Sequence, residues 1–585
     1  MKKNYLKLGS LLLLGLLSAN RASAQEGNDS FWKDFKINGS LQSEIMLFPE
    51  KDKKIGAEGS DDWWLTNTYF NLNLNSKHIE AGARLEFMEH PLIGFDEKDF
   101  EGWGVPNIYV TAKFDKIQIT AGDFYDQFGS GLIFRTYEER SLGIDNSLRG
   151  GRIAAQPFKG VRLKVLGGKQ RYYFDHHKTF IWGADAEFSI DQWSKKLAES
   201  NTYLTFGASY VGKHRGDEFI EAGVNPDDPT IHYKLNLPEN VGAFDFRAKL
   251  QKGNYSFLAE YAIKNNDPTF RSVYKENNLN HPYIYRKGQA LLLAGSYSKK
   301  GMSVLLQAKR SDNMSFMSTR QAPGGNPSTL SSTINHLPAF VQQQTYALAT
   351  LYPYSTQPEG EWAFQGELSY TFKRNTPLGG KYGTRVKLGG SHIRSIEMDP
   401  VEQKYGTWMG TKGYNSSFFK MGGKIYYQDL IFGVEKKMSA PLLMNFTYMH
   451  QYFNHLAVYG KPTTLDKAEI VKTHIFILEG KYKINNKNTL RGELQYLTTK
   501  QDYGDWIAGV LEYSLLPYLM FSVSDTYNVG ETDIHYYMGS VTGTYKSHRL
   551  MVSYGRTREG YNCSGGVCRI VPAYKGLQLS YSYNF

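Results

Sequence analysis

The sequence predicts an all-β fold, a transmembrane antiparallel up-and-down β-barrel of roughly 22 to 24 strands. Three patterns predict it: alternation at the end of the chain, hairpins that recur along it, and short turns that alternate with long polar connections. The alternation is clearest at the end, where every second residue of 577–585 is apolar and every residue between is polar. A tilted strand of roughly nine residues spans a bilayer core. The apolar positions are Leu577, Leu579, Tyr581, Tyr583 and Phe585.

The chain begins with the features of a secretory signal peptide. Lysines at positions 2, 3 and 7 precede the apolar run Leu11–Leu17, and small residues end the segment at Ala24. This pattern predicts a signal peptide over residues 1–24 that is removed on export. Residues 25–585 are expected to form a single barrel domain, because no linker divides them and a barrel cannot be cut. The first strand is expected at Ile37–Leu47, which leaves no room for the globular plug of an energised import receptor.

Composition agrees with a barrel. No other apolar run reaches the eighteen or so residues of a membrane helix, yet 14% of residues are aromatic. Strands of a membrane barrel show lipid only half their side chains, and their aromatics gather at the two interfaces. The net charge of +11 falls to +7 without the four cations of the signal peptide (11 − 4). This modest excess in an exported protein gives no reason to expect a nucleic-acid partner.

The body of the chain consists of repeated hairpins. Phe244 and Phe246 alternate with Asp245 and Arg247, and a turn at 252–254 leads to a second alternating arm. A slip of one residue would expose the charges to lipid at roughly 2–4 kcal/mol for each basic group near the midplane, so the register is fixed. The same design recurs over residues 476–496, with its turn at 485–488.

Connections alternate between short and long, which predicts short periplasmic turns and long extracellular loops. Residues 345–354 are compatible either with a strand or with a loop folded into the lumen. Short turns are expected at 75–77, 115–116, 299–301, 437–440 and 546–548, and long loops at 49–62, 213–238, 265–286, 311–340 and 399–420. A further long loop, near the end of the chain, holds Cys563 and Cys568. An oxidising compartment favours a disulfide between them over a metal site.

The densest cluster of candidate functional residues lies in 122–152. If Phe124, Phe128, Leu132 and Phe134 face outward, the polar residues between them face the lumen. The cluster is then either a constriction that selects solutes or a self-paired network that braces the wall. The lumen candidates are Tyr125, Gln127, Arg135, Glu139, Arg140, Asp145, Arg149 and Arg152, with Asp126 and Glu138 as further partners in a bracing network.

Signals for catalysis are weaker. Asp175, His176 and His177 could supply a general base near an outer loop, but spacing identifies no nucleophile. Ser130 lies between two glycines without the spacing of a nucleophile elbow. The chain is therefore expected not to be an enzyme and to need neither a cofactor nor a metal.

Two stretches resemble known proteins. The alternating end with its final Phe585 resembles the terminal strand of bacterial outer-membrane β-barrels, which the barrel-assembly machinery reads and which pairs with the first strand. That resemblance implies an assembly signal at Tyr581, Tyr583 and Phe585 and a location in the outer membrane. Residues 122–152 resemble the signature of an uncharacterised porin-like family of exported barrels in diderm bacteria, which implies no catalytic residues.

The leading hypothesis is a porin-like channel for a polar solute. The first alternative is a non-conducting binding or scaffold barrel in an outer-membrane complex, with long loops that engage a partner or fill the lumen. An outer-membrane hydrolase that uses His176 and His177 is the weakest alternative. The expected partners are outer-membrane lipid and lipopolysaccharide, the assembly machinery during biogenesis and a further outer-membrane protein.

Overall fold

The computed structural model describes residues 34–95, 100–225, 227–270, 283–320, 330–401 and 413–585. The predicted signal peptide, residues 1–24, lies outside these ranges. Within them, 24 strands form one antiparallel sheet. In order they are Lys36–Leu47, Trp64–Asn75, Ile79–Met88, Gly102–Lys113, Ile117–Phe124, Leu148–Ala155, Val161–Tyr172, Asp175–Ser189, Thr202–His214, Asn240–Lys252, Tyr255–Lys264, Gly288–Lys299, Met302–Asp312, Gly360–Phe372, Thr384–Ile396, Met421–Lys437, Leu442–Asn454, Ile470–Lys483, Asn488–Thr498, Trp506–Leu515, Leu519–Asn528, His535–Tyr545, His548–Thr557 and Tyr574–Asn584.

The sheet closes on itself between the last strand and the first. Tyr574–Asn584 pairs with the preceding strand on one side and with Lys36–Leu47 on the other, in a register that places Asn584 opposite Ser40. Beyond this ladder, the backbone N–H of Gly39 donates to the carbonyl of Phe585, and the N–H of Phe585 donates to the carbonyl of Gly39, both at 3.0 Å. Closure satisfies every strand edge, which a bilayer requires. The predicted β-barrel and its closing pair are confirmed.

Side chains alternate between the outer and inner faces as predicted. Phe244 and Phe246 are 42% and 54% exposed, whereas Asp245 and Arg247 are buried. Phe476 and Leu478 likewise lie outside, with Glu479 turned inward toward Arg491. In these hairpins the outer face is therefore apolar, as a lipid-facing band requires, and the inner face carries the charges.

The two ends of the barrel differ as the turn pattern predicted. Short turns follow Asn75, Lys113, Lys299, Lys437 and Tyr545, all at one end. The other end carries the long loops, together with three shorter connections at 173–174, 499–505 and 529–534. Two longer connections, 190–201 and 373–383, lie at the short-turn end. Short strands and helices lie within the connections. They are the strand pairs Glu138–Glu139 with Ile144–Asp145, Glu221–Val224 with His232–Lys234, Thr269–Phe270 with Tyr283–Ile284, Asp399–Pro400 with Tyr414–Asn415, and Gly560–Ser564 with Val567–Val571; the 3₁₀ helices Arg140–Leu142, Ile190–Gln192 and Leu348–Thr350; and the α-helices Lys195–Glu199 and His455–Tyr459.

None of the helices in the described ranges is long and apolar enough to cross a membrane.

Two long loops fold back into the barrel. The chain leaves the wall after Phe124, returns at Leu148, and leaves it again between Asp312 and Gly360. Of the two alternatives for residues 345–354, the loop is correct, because the stretch contains only the short helix Leu348–Thr350. The condition considered above, that four apolar residues of 122–152 face outward, is not met, because Phe124, Phe128, Leu132 and Phe134 are all buried in the inner cluster. Their alternation is real, but their apolar partner is the other loop rather than lipid.

Candidate functional site

The candidate site is the barrel interior and the two loops that enter it, called here the inner loops, residues 125–147 and 313–359. Their apolar side chains meet one another and the inner wall in the largest buried cluster among the described residues. Closely packed apolar groups of this kind supply most of the energy that orders a loop. The cluster includes Phe128, Leu132, Phe134, Met314, Phe316, Ile334, Leu337, Phe340, Tyr352 and Tyr354.

The first inner loop is fastened to the wall by Glu260. Its carboxylate accepts the backbone N–H of Ser130 at 2.9 Å and the Ser130 hydroxyl at 2.5 Å. Gly129, with φ of 53°, makes this approach possible. A Cβ on Gly129 would lie 2.4 Å from the carboxylate oxygen Oε1 of Glu260. Only glycine takes this backbone conformation without strain and leaves room for the carboxylate.

Wall cations hold the start of the second inner loop. The ammonium of Lys213 lies 2.7 Å from Asp267 and donates to the carbonyl of Met317 at 2.6 Å. Lys264 donates to the carbonyl of Ser315 at 2.5 Å, and Arg320 contacts Asp267 at 2.7 Å. Burial disfavours the charged carboxylate, but the charges of Lys213, Lys264 and Arg320 outweigh it and hold the pKa of Asp267 below its usual value.

The rest of the second loop crosses to the opposite wall. Lys309 pairs with Glu361 at 2.7 Å and also donates to the carbonyl of Pro338. On the far side, the N–H of Leu348 donates to Gln495 at 2.9 Å, and the hydroxyl of Tyr346 donates to Glu479 at the same distance. The loop therefore spans the lumen between wall strands that lie far apart around the barrel.

An arginine network joins the first inner loop to the wall. Asp145 accepts from Arg84 at 2.9 Å, from Arg171 at 2.5 Å and from the Tyr125 hydroxyl at 2.9 Å. Glu138 accepts from Arg84 at 3.0 Å, and Glu86 accepts from Arg171 at 2.6 Å. Beside the network lies a cavity of about 30 Å³, which is large enough to hold water. Its lining includes Tyr69, Glu86, Glu138, Arg140, Asp145 and Arg171.

Arg140 lies where this network meets the seam between the first and last strands. Its guanidinium donates to Glu138 at 2.6 Å and to the side-chain oxygen of Gln42 at 2.7 Å. It also covers the ring of Tyr69, with Cζ 4.1 Å from the ring centre. Gln42 and Tyr69 belong to the first two strands, so Arg140 bridges the inner loop to the wall beside the seam.

The remaining predicted residues occupy separate places. Gln127 bonds to the carbonyl of Gly129, and Arg135 lies over the ring of Tyr137. Glu139 accepts from Ser141 at 2.8 Å and from Ser564 at 3.2 Å, which ties it to the disulfide hairpin. Arg152 faces the lumen and pairs with Asp126 at 3.2 Å.

Arg149 is the exception among the lumen candidates. It shares a face with Ile153, which is 49% exposed on the outside of the barrel. Its guanidinium pairs with Asp123 at 2.7 Å. The expectation that Arg149 lines the lumen is therefore wrong. It is three positions, an odd number, from inward-facing Arg152, and successive side chains of a strand point to opposite faces.

The wall beside the seam carries small polar side chains. Asn71 donates to Ser40 at 3.1 Å, and Ser580 donates to Glu44 at 2.7 Å. These side chains and Ser582 are only half-buried, whereas those beneath the inner loops are buried. Water-accessible polar groups therefore line this side of the lumen.

The predicted disulfide joins Cys563 to Cys568 in the hairpin formed by Gly560–Ser564 and Val567–Val571. The tip of this hairpin contacts the second inner loop: the carbonyl of Gly566 accepts the N–H of Thr356 at 2.9 Å, and that of Gly565 accepts the N–H of Ala339 at 3.4 Å. The hairpin therefore covers the inner loops at the long-loop end.

The histidines considered for catalysis, His176 and His177, lie at the long-loop end of the strand Asp175–Ser189. The Nε2 of His176 is 3.9 Å from Asp123, and His177 is buried with its ring 4.9 Å from that of Tyr172. Within the described ranges, no three His, Cys, Asp or Glu side chains are grouped to hold a metal ion.

Several site residues escaped the sequence reasoning. Arg84, Glu86, Arg171, Lys213 and Glu260 are all charged residues at inward positions of wall strands. The alternation along each strand could have shown that these side chains face inward. Their partners, however, lie far away in the sequence.

A closed barrel with an apolar exterior, short turns at one end and long loops at the other defines an outer-membrane β-barrel. More particularly, the chain belongs to the family described as a family of unknown function, DUF6029, whose model matches residues 1–585. No curated protein matches the chain.

Solved structures share the fold at low identity. The siderophore receptor PirA from Pseudomonas aeruginosa is 10% identical, with 94% of this chain and 80% of that one covered and a TM-score of 0.38. OccAB3 from Acinetobacter baumannii is 9% identical, with 94% and 99% covered and a TM-score of 0.34. The translocation pore of the P pilus usher PapC is 8% identical, with 94% and 99% covered and a TM-score of 0.35. These likenesses concern the architecture alone.

Proposed function

We propose that this protein is a porin-like channel in the outer membrane that conducts a small, polar, largely uncharged solute along the seam side of its lumen. The observation that carries the proposal is the contrast between the two sides of the interior. The inner loops fill one side with a buried core. Half-buried side chains line the other, mostly hydroxyl and amide groups with one carboxylate: Ser40, Asn71, Ser580, Ser582 and Glu44. Hydroxyl and amide groups replace the hydration of a neutral polar solute without attracting a counter-ion.

Arg140 is the proposed gate of this path. It extends from the inner loop to Gln42 and Tyr69 at the edge of the seam wall. Shortening this side chain removes the bridge while Glu138 keeps its bond to Arg84. The path beside the seam then widens without loss of the loop core.

Uptake by liposomes tests the proposal. Liposomes that contain the full-length protein are diluted into an uncharged sugar or into an anionic or cationic solute of similar size, and swelling is followed by light scattering. We expect the sugar to enter fastest and Arg140→Ala to raise its rate several-fold. Arg149→Ala is the matched control, because it removes an arginine from the outer face. Equal rates for Arg140→Ala and Arg149→Ala would contradict the gate.

The second candidate is a non-conducting binding barrel, which the extent of the buried loop core favours. It predicts no sugar uptake by the wild type or by Arg140→Ala, although both proteins are folded and resist protease. That result would overturn the channel proposal.

A further inference from the structure

The short-turn end of the barrel has a region that is rich in basic residues and free of acidic ones. It consists of residues 299–301, 373–383, 436–441 and 481–487, the turns of four hairpins that follow one another around the sheet. These segments contain ten Lys or Arg residues and no Asp or Glu. The ten residues, called here the basic sector, are Lys299, Lys300, Lys373, Arg374, Lys381, Lys436, Lys437, Lys481, Lys483 and Lys487.

The cations of the basic sector have no carboxylate partners within the described ranges. All of them except Lys436 are exposed, and none of the ten forms an ion pair with a described residue. The carboxylates closest to them in sequence face other cations. Glu479 pairs with Arg491 at 2.9 Å, and Glu435 lies opposite Arg385 in the register of two neighbouring strands.

Other cations near the two ends of the barrel do have such partners. At the short-turn end, Lys113 lies 2.5 Å from Glu80. At the long-loop end, Lys178 lies 2.9 Å from Asp217. The charges of the basic sector instead repel one another, and an anion from outside the chain would relieve that repulsion.

Part of the sector is held in a fixed arrangement. The ring centre of Tyr382 is 5.6 Å from the ammonium of Lys381 and 5.2 Å from that of Lys437, which belongs to the next hairpin. Attraction to the ring keeps these two like charges close together. The connection that carries Tyr382 is ordered by its own backbone, since the N–H of Asn375 donates to the carbonyl of Gly380 at 2.7 Å. Cations of neighbouring hairpins are therefore presented side by side.

Alternation along the strands shows from which side an anion can reach the sector. In the strand Ile470–Lys483, Leu478 and Tyr482 are 46% and 45% exposed on the outer face. Lys481 and Lys483 alternate with them and therefore face the inside of the barrel mouth. Lipid phosphates lie outside the wall, so they do not reach these two lysines. Short turns of outer-membrane barrels face the periplasm, which is the side from which the anion approaches.

The extent of the sector indicates a macromolecule. Its four hairpins contribute eight neighbouring strands. Neighbouring strands are about 4.8 Å apart, so the sector extends roughly 35 Å across them. A protein interface of ordinary size, roughly 800 Å² on each partner, has this dimension. A small anion would contact only a few of the cations and leave the others without a counter-charge.

We propose that the basic sector is the docking surface for a periplasmic protein with an acidic surface. Carboxylates of that protein supply the counter-charges that this chain lacks, and the opposite charges steer the two surfaces together. Because Lys481 and Lys483 face the mouth, the docked protein covers part of the opening. The proposal does not rest on conduction, since a non-conducting barrel presents the same surface.

Binding of a labelled poly-glutamate peptide tests the surface. The full-length protein is placed in phosphatidylcholine nanodiscs, which leave both ends of the barrel open, and binding is followed by fluorescence anisotropy. We expect poly-glutamate to bind, poly-glutamine not to bind, and added salt to weaken the binding. Lys481→Gln, Lys483→Gln removes two inward cations, and Lys381→Gln, Lys437→Gln removes the two beside Tyr382. Each double variant should weaken the binding several-fold.

The matched control is Lys53→Gln, Lys54→Gln, which removes two exposed lysines from the long-loop end. It should bind poly-glutamate like the wild type. All the substituted lysines are exposed, so the variants should unfold at the temperature of the wild type. An equal loss in the control, or no loss in either sector variant, would overturn the surface.

A lipid surface is the competing outcome. Intact-complex mass spectrometry in detergent measures how much phosphatidylglycerol the wild type and Lys481→Gln, Lys483→Gln retain. We expect equal retention, because these lysines face away from lipid. Lower retention by the variant, together with a wild type that does not bind poly-glutamate, would assign the sector to lipid headgroups and contradict the docking of a protein.

Discussion

Lys213 on a wall strand and Asp267 in the loop between two later strands form an ion pair, with 2.7 Å between the ammonium and the carboxylate. Both side chains are almost fully buried. The same ammonium donates to the carbonyl of Met317, so one wall residue holds both an outer connection and an inner loop. The interior of this barrel is thus organised by wall cations that bind loop oxygens.

Breaking this pair should loosen the second inner loop. Asp267→Asn leaves Lys213 and Arg320 without the carboxylate that they share, and removing one partner of a buried pair costs about 3–5 kcal/mol. We expect a lower free energy of unfolding in urea and faster protease cleavage near residues 313–320. The double variant Lys213→Met, Asp267→Asn should recover part of the loss. Unchanged cleavage in Asp267→Asn would show that the pair does not hold the loop.

Gly129 should be required for docking of the first inner loop. Gly129→Ala adds a strained backbone conformation, about 1–3 kcal/mol, and a contact with Glu260. Gly56→Ala is the control, because Gly56 also has a positive φ but nothing lies within 4 Å of the added Cβ. Thermal unfolding should therefore be lowered more by Gly129→Ala. An equal effect of the two changes would mean that the approach of Glu260 is unimportant.

Acid should release the second inner loop through His336. Burial, together with the charges of Arg135 and Lys309, lowers the pKa of His336 from its usual 6.5 to about 3. As the pH falls from about 6.5 to about 3, the released loop binds a proton before the docked loop does, so docking weakens. Asp267, whose pKa is lowered, keeps its charge through most of this window.

We therefore expect protease cleavage of the loop to be faster at pH 4.5 than at pH 7.5. His336→Gln should reduce this difference, whereas His78→Gln, at an exposed short turn, should not. A difference that His336→Gln leaves unchanged would assign the acid sensitivity to another group.

Removal of the disulfide should affect the covering hairpin and not the barrel. Closing so short a ring contributes about 2 kcal/mol in the loop-entropy account. In Cys563→Ser, Cys568→Ser we expect faster hydrogen exchange at the N–H groups of Ala339 and Thr356, which bond to the hairpin tip. Exchange in the strand Tyr574–Asn584 should stay slow. Fast exchange in that strand would contradict the claim that the disulfide stabilises the hairpin and not the barrel.

The end of the chain makes a prediction about assembly. A Cβ on Gly39 would lie 2.5 Å from the ring of Phe585 and 2.6 Å from the carbonyl oxygen of Asn71, and the Phe585 ring packs near Phe70. Gly39→Val should displace the ring and slow closure of the seam during refolding into detergent. Recognition of Tyr581, Tyr583 and Phe585 by the assembly machinery stays a prediction, which deletion of Phe585 and measurement of folded protein in the outer membrane would test.

The wall was predictable from sequence because each strand faces lipid on one side and the polar interior of the barrel on the other. Phe246 must meet lipid and Arg247 must not, so alternation alone determines the face of each. The same rule failed at Phe128 and Phe134, because apolar residues that alternate can meet another loop as well as lipid. The available signal for an inner core was a set of apolar residues inside a long loop: Met314, Phe316, Tyr352 and Tyr354. A solvent-exposed loop would leave these side chains in water.

The partners inside the barrel could not be predicted. Asp145 lies 61 residues from Arg84, and Ser130 lies 130 residues from Glu260. Closure of the sheet brings these side chains together. The alternation of apolar and polar residues along a strand does not show which loop that strand faces.

Single-channel conductance in a planar bilayer tests the central claim most directly. For the full-length wild type we expect small steps with weak ion selectivity, because the inner loops narrow the lumen and most side chains along the seam are polar and uncharged, with Glu44 as a charged group among them. Arg140→Ala should show larger steps, and Arg149→Ala should match the wild type. Folded wild type and Arg140→Ala proteins that insert into the bilayer and yet give no steps would contradict the claim that this barrel conducts.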